Sequence, residues 1–353
     1  MKTLVTGGTG ILGSHIVEAL VARGHEVRAL VRKTSDTAHL RTTGAELVYG
    51  DVTDYDSLLP AVKGVDIVFH AASRVTPGWG QWKDFESTIV KGTENLLKAS
   101  TEARVSRFLH ISSCAVLGPL ACADTPADES VPCAIQFTPD TYYDYAKKQA
   151  EDLVLDYYRQ GKINVSILRP GMIYGPRDRL LTDRVYRHMS SRIIVWPGEA
   201  NPRCSFVFAS DVAELAILAA TSPKAIGQIY NVAPPHEVRF REFCDCMIKA
   251  QGGPRTQATV PYGLAQFWCF VMEGVARLRR AKEMPYLTRS GVRFLNEGVN
   301  LDGSKARREL GWEQKVSMEE GTRLYVEWRR GQIKGEAHRV TQSKRVAAKR
   351  FSG

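Results

Sequence analysis

Thr6-Gly7-Gly8-Thr9-Gly10-Ile11-Leu12-Gly13 follows the short apolar run Leu4-Val5 and precedes an amphipathic stretch reaching about Ala22. Glycines at 7, 10 and 13 sit where a strand turns into a helix. Glycine permits the tight turn and lets the backbone approach a pyrophosphate, which then rests on the helix N-terminus. The strand–turn–helix context makes the pattern specific, where three glycines alone would not be. Gly7, Gly10, Ile11, Leu12 and Gly13 are therefore the first candidate cofactor contacts. Met1-Lys2 and the apolar residues after it look like the start of a signal peptide, but the glycines break the run far short of the 7–15-residue apolar core such a segment needs.

Outward from that turn, strand and helix signals alternate. Strands are expected at Val27–Val31, 46–49, 65–69, 108–111 and 165–168, with helices over about 82–103 and 143–159. This rhythm predicts an α/β fold: a Rossmann-type, doubly wound parallel sheet with helices on both faces. After Arg169-Pro170-Gly171 the rhythm changes and helices dominate, at about 211–221, 239–250, 262–278 and 317–330. We read residues 1–170 as the dinucleotide-binding domain, with later segments returning to its sheet. Residues 171–330 form a smaller substrate lobe, and 331–353 a basic tail without apolar periodicity, expected to be disordered.

Composition narrows the class. Of 353 residues, 44% are apolar and 24% charged, which excludes global disorder. No apolar run approaches the ~20 residues of a membrane span. Seven cysteines at irregular gaps argue against a disulfide framework and for a reduced, cytoplasmic setting. Cys244-x-Cys246 lacks a companion cluster at ligand spacing, so no metal site is expected. The net charge of +10 is concentrated: residues 277–308 hold nine Lys/Arg against three acids, and 334–353 six against one. That leaves the rest near neutral. We read the excess as solvated surface, not as a nucleic-acid site.

An NAD-selecting site carries an acid at the end of the second strand, about 20 residues past the glycines. Here the strand ends Val31-Arg32-Lys33. A guanidinium can clamp a 2′-phosphate where a carboxylate would repel it. NADP(H) is favoured, with Arg32 as its contact and Lys33 in support; NAD(H) is the alternative.

Tyr143 and Lys147 stand at i and i+4 on one helix face. A neighbouring ammonium favours the phenolate and is expected to lower the phenol pKa, suiting Tyr143 to exchange a proton while a nicotinamide exchanges hydride. Ser112-Ser113 closes the fifth strand, where a hydroxyl can bond the substrate oxygen.

Glycine turn, strand-end serine and Tyr-x-x-x-Lys, in this order, resemble the extended short-chain dehydrogenase/reductase superfamily over about residues 1–330. The matching segments include GDVTD at 50–54, HAA at 70–72, ISSCAVLG at 111–118, YDYAK at 143–147 and RPGMIYGPRD at 169–178. The resemblance implies catalytic Ser113, Tyr143 and Lys147, with Ser113 chosen over Ser112 because it lies three before Val116. It also implies Lys147 on the nicotinamide ribose, Asp51 and Val52 near adenine, Ala71 and Ala72 near the cofactor ribose, and Tyr143 and Pro170 as further cofactor contacts. Ile89 stands where members often carry Asn. It further implies a homodimer through the helices at 82–103 and 143–159.

Within the superfamily, the Asp-Glu pair of dehydratases is Cys114-Ala115 here, and the Asn that holds a sugar-nucleotide diphosphate is Met172. Arg177 and Arg203 remain as candidate diphosphate cations. The aromatic run at 262–272 and Trp79 and Trp82 of Gly78-Trp79-Gly80-Gln81-Trp82 are expected to wall an apolar pocket. This resembles the 3β-hydroxysteroid dehydrogenase-like and 2-alkyl-3-oxoalkanoate reductase-like branch. The expected activity is interconversion of a secondary alcohol and a ketone on a small lipophilic substrate. The alternatives are a nucleotide-sugar epimerase with retained NAD and a non-catalytic NADP(H)-binding sensor. The apolar stretch at 262–282 with its basic end also has the composition of a peripheral membrane contact.

Overall fold

The computed structural model describes residues 1–76, 79–122, 125–253, 255–279, 281, 285 and 287–333, with backbone alone for 119–122. Gly78, Arg280, Lys282, Met284, Tyr286 and the basic tail at 334–353 lie outside the described residues.

The alternation continues through the first half: β1 (Lys2–Thr6), α1 (Ile11–Ala22), β2 (Glu26–Val31), β3 (Glu46–Tyr49), α2 (Tyr55–Val62), β4 (Ile67–His70). Then follow α3 (Trp82–Phe85), α4 (Gly92–Glu102), β5 (Arg107–Ile111), α5 (Tyr142–Arg159) and β6 (Val165–Pro170). The long helix expected over 82–103 is interrupted, because Glu86–Lys91 is wound as a π-helix between α3 and α4. The second half holds β7 (Met172–Tyr174), α6 (Leu181–Met189), β8 (Ile193–Pro197), β9 (Phe206–Phe208), α7 (Ala209–Thr221) and β10 (Ile229–Val232). It continues through α8 (Phe240–Gln251), β11 (Thr256–Val260), α9 (Tyr262–Leu278), α10 (Arg289–Glu297), α11 (Ser304–Leu310) and α12 (318–333).

Seven strands form a parallel sheet in the order β10-β6-β5-β4-β1-β2-β3. The order reverses between β1 and β4, where Thr6 pairs with His70. At such a switch point the connections leave in opposite directions, and a crevice opens beyond the strand ends. Both faces are covered. On one, Ile16, Val17 and Leu20 of α1 pack with Leu215 of α7, Tyr230 of β10 and Trp312. On the other, Leu58 and Val62 of α2, Leu96 and Leu97 of α4 and Val154 of α5 cover Leu4, Val68 and Phe108. Burial on both sides explains why these strands read as continuous apolar runs.

The smaller lobe has its own core. Phe206 of β9 stacks on Phe243 of α8 at 4.1 Å between ring centroids, beside Tyr174, Trp196 and Tyr325. Two short parallel pairs, β7 with β9 and β8 with β11, frame it. These strands of three to five residues carry too little periodicity to register in the sequence.

Candidate active site

The glycines of the first turn are fitted to a close approach. A Cβ on Gly7, which has a φ of +71°, would lie 2.7 Å from the Ala71 carbonyl and the Ala72 nitrogen. One on Gly13 would lie 2.2 Å from the Gly7 carbonyl oxygen. Gly10 caps α1 without a side-chain acceptor, so the first-turn N–H groups of the helix stay available to an anion. This cradle, which any side chain would fill, fits a dinucleotide pyrophosphate. A hydrogen-bond chain holds its floor. The Ala72 N–H donates to Thr6 Oγ1 (3.2 Å), the Thr6 hydroxyl to His70 Nδ1 (2.8 Å), His70 Nε2 to Thr93 Oγ1 (2.9 Å) and the Thr93 hydroxyl to Ile89 O (2.6 Å). Burial, reinforced by the Lys147 charge, pushes the His70 pKa down to about 3, so the imidazole stays neutral as the chain requires.

One cleft of about 1690 Å³ collects the catalytic candidates and most of the predicted cofactor contacts: Gly7, Gly10, Ile11, Leu12, Gly13, Arg32, Asp51, Val52, Ala71, Ala72, Ser113, Tyr143, Lys147 and Pro170 all line it. Arg32 is exposed at the rim, and its guanidinium has no partner among the described residues. Lys33 does not line the cleft. The Asp51 carboxylate is engaged locally, accepting from the Thr53 N–H (2.9 Å) and hydroxyl (2.8 Å). Val52 is buried against Gly92, and its carbonyl accepts from Asn95 Nδ2 at 3.0 Å.

At the far ends of β5 and β6, α5 presents Tyr143, Lys147 and Glu151 on one face. Lys147 Nζ donates to Ile111 O at 2.8 Å. Burial pushes its pKa down from the usual lysine range to about 8, against an upward pull from Glu151. The Ser113 hydroxyl stands beside the Tyr143 phenol and pulls its pKa down. Its pKa lies above the ordinary tyrosine value, not below it as the Tyr–Lys spacing suggested. Burial outweighs the opposing pull of Ser113.

The two serines are separated by their partners. Ser112 donates to Glu151 Oε2 at 2.6 Å, and Glu151 accepts two bonds from Arg169 at 3.1 and 2.5 Å, with both members of the ion pair buried. Ser113 is left facing the phenol. Glu151 and Arg169 were missed in the sequence, although Glu151 continues the i, i+4 series from Tyr143 by one more step.

The far end of the cleft lies between α5, α6, α8 and α10. Met172, Val185, Met189, Trp196, Phe240 and Phe294 line it, and its polar members include Asp144, Asp178, Arg179, Arg184, His188 and Arg293. Burial raises the Asp144 carboxyl to about 7, only partly offset by Arg293. Trp79, Trp82 and the aromatic run at 262–272 do not line the cleft. Trp82 packs edge-on against Phe137 (5.1 Å) and Tyr145 (5.8 Å) and tilts against Tyr142, bracing the start of α5. Trp79 lies under the Arg277 guanidinium at 5.9 Å. Neither cation proposed for a diphosphate is free. Arg177 bonds Ser14 and pairs with Glu18 at 2.5 Å, and Arg203 pairs with Glu237 at 2.7 Å.

The sequence matches the NAD dependent epimerase/dehydratase family over residues 3–233. It is 31% identical to a 4-hydroxy-2-methyl-3-oxo-4-farnesyl-3,4-dihydroquinoline-1-oxide ketoreductase of Stigmatella aurantiaca, over 91% of this chain and 94% of that protein. It is 32% identical to sterol demethylase protein B of Methylococcus capsulatus, over 88% and 93%. The solved Thermus thermophilus UDP-glucose 4-epimerase in complex with NAD superposes with a TM-score of 0.73 at 25% identity, covering 94% of this chain and 99% of that one. The chain belongs to the NAD dependent epimerase/dehydratase family, within the extended short-chain dehydrogenases/reductases, and is an NAD(P)-dependent dehydrogenase/reductase.

The buried ion pair gives the first expected outcome. Glu151→Gln leaves the Arg169 charge without its counter-ion and should cost about 3–5 kcal/mol of stability. Replacing both partners, with Glu151→Leu and Arg169→Met, should cost clearly less than the Glu151→Gln change. Denaturant unfolding of the wild type and the two variants decides it, and a larger loss in the double variant would show that the pair does not act as a unit.

Proposed function

We propose that this protein is an NADP(H)-dependent oxidoreductase that interconverts a ketone and a secondary alcohol on a lipophilic substrate, sterol-like or β-keto acyl. The observation that carries this reading is the set of apolar side chains, Met172, Val185, Met189, Trp196, Phe240 and Phe294, that share the cleft with Ser113 and Tyr143, with both matched diphosphate cations held in ion pairs. The names of the ketoreductase and sterol relatives support it.

When bound, the nicotinamide supplies the hydride that reaches the carbonyl carbon. Everything else falls to the chain. The substrate oxygen accepts from Ser113 and Tyr143, and the Tyr143 proton passes to that oxygen as negative charge develops on it. Burial keeps the phenol protonated in the resting site, as a proton donor to a carbonyl must be. Lys147 holds the nicotinamide ribose while its charge steadies the phenolate left behind. Arg32, unpaired at the rim, takes the 2′-phosphate. A UDP-sugar epimerase with retained NAD is the second reading, favoured by the likeness to the solved epimerase.

Incubation with NADPH and 3-ketosteroids or long-chain β-keto esters should consume NADPH stoichiometrically, read as absorbance loss, and Tyr143→Phe should abolish it while cofactor still binds. UDP-sugars should neither turn over nor raise the Tm. Epimerisation of a UDP-sugar without net cofactor use would establish the second reading instead.

Arg32→Asp should raise the KM for NADPH at least about tenfold, the equivalent of a lost charge-assisted pair of about 1.5–3 kcal/mol, and leave NADH unaffected or improved. Equal effects on both cofactors would remove Arg32 from the phosphate site.

The pH dependence follows from Lys147. Its ammonium is lost as pH rises through about 8, so cofactor affinity should fall above that pH. Lys147→Met should bind cofactor weakly at all pH values and show no such step. A step that persists in Lys147→Met would assign the titration to another group.

A further inference from the structure

Helix α9 is turned inside out for a water-facing helix. Its buried residues are Ala265, Cys269 and Glu273, one narrow row at i, i+4 and i+8. Ala265 and Cys269 pack on Val292 of α10. Glu273, the one acid of the helix, is also buried, and it is consumed by the N–H (2.7 Å) and guanidinium (3.0 Å) of Arg289. The opposite face carries Leu264, Phe267, Trp268, Val271, Val275 and Leu278, spaced three and four apart down its full length. All six are exposed, Phe267 at 58%, Trp268 at 57% and Leu278 at 85%. On a solvated helix those positions hold charges. Scattered exposed apolar residues need no explanation, but a continuous stripe of this kind marks an interaction site. At its C-terminal end the sequence places Arg277, Arg279, Arg280 and Lys282. Arg277 and Arg279 are exposed.

We propose that α9 docks this enzyme on an anionic lipid surface, with the apolar face set into the boundary between headgroups and acyl chains. An aromatic-rich apolar stripe with a cationic end is the pattern of an interfacial helix. Charge selects lipid over a second copy of the chain. The exposed face of α9 carries no carboxylate, so another α9 would offer its cations nothing to meet, whereas anionic headgroups would. Position connects the surface to the chemistry. Leu287 packs on the Ala265–Cys269–Val292 cluster and also lines the cleft, as do Thr288, Gly291 and Phe294 of the adjoining segment. The cleft wall nearest α9 is thus carried on the element that would rest on the bilayer, which lets a lipophilic substrate pass between them. That last clause rests on the substrate reading above; the docking itself does not.

The full chain, without substrate or cofactor, is mixed with vesicles of 70:30 phosphatidylcholine and phosphatidylglycerol and sedimented. Most of the wild type should pellet with the vesicles, and less should do so at high salt. The variant Phe267→Ser/Trp268→Ser should lose at least tenfold in partitioning, while its Tm and NADPH binding stay at wild-type values because both side chains face solvent. Arg279→Gln should weaken binding to a smaller degree. Wild type that remains in the supernatant, or a double variant that pellets equally, would overturn the proposal. A wild-type dimer in analytical ultracentrifugation that becomes monomeric in the double variant, with no vesicle binding by either, would assign the face to a second copy. None of these outcomes depends on which substrate is reduced.

Discussion

The arrangement of the site depends on one buried ion pair. Glu151 on α5 meets Arg169 on β6 and takes the Ser112 hydroxyl of β5, with both charges out of water. Removing two charges from water costs several kcal/mol each, and the interior returns that only when geometry and extra hydrogen bonds are good. A pair of this kind therefore tolerates little displacement. It fixes the rotation of α5 about its axis and its height above the strand ends. One turn earlier on the same face, Lys147 reaches the Ile111 carbonyl, and one turn before that Tyr143 stands beside Ser113. The aromatic packing of Trp82 and Phe137 around Tyr142 and Tyr145 secures the other end of the helix.

How much of this was legible in the sequence follows from how local each signal is. The glycine cradle and the Tyr-x-x-x-Lys pair are set by spacing within one turn or one helix, so their residues could be read directly. Ser112 and Ser113 are adjacent, and only the resemblance, through the distance to Val116, chose between them. What separates them is Glu151, nearly forty residues away in the chain. The direction of the Tyr143 pKa was misread for a similar reason, since the helical spacing shows the ammonium but not the desolvation that outweighs it. The aromatic segments failed differently. Hydrophobicity says that a side chain prefers to leave water, not which neighbour receives it. Trp82 found an aromatic cluster beneath α5, and the run at 262–272 largely found none.

Cations line both ends of the cleft, and their partners differ. At the adenosine end Arg32 stands exposed and without a partner, next to a turn built for an anion. Toward the lobe, the cations that motif reading nominates are spent on structure. Arg177 holds a left-handed backbone position (φ 71°) and staples the Gly175–Asp178 segment to α1 through Ser14 and Glu18. Asp178 beside it accepts from the Thr182 N–H at 2.7 Å and hydroxyl at 2.6 Å to start α6. The Gly-Pro-Arg-Asp segment is thus accounted for as a structural corner. A pocket behind it gains affinity by burying apolar ligand surface, about 25 cal/mol per Å².

Such a pocket and the outer face of α9 pose the same physical question from two sides. A ligand that binds by apolar area partitions out of water before it meets the enzyme, so its free aqueous concentration is low. An enzyme acting on it gains more from proximity to the phase that holds the ligand than from a tighter pocket, because local concentration multiplies the encounter rate at unchanged affinity. Helix α9 retains an exposed apolar stripe that solubility alone would select against. It is tied to the body by three buried residues, one of them an acid neutralised by Arg289, so the exposed stripe is presented on a fixed helix and not on a loose end. Rigid presentation next to the cleft wall is what a surface needs if it is to orient the cleft as well as hold the protein.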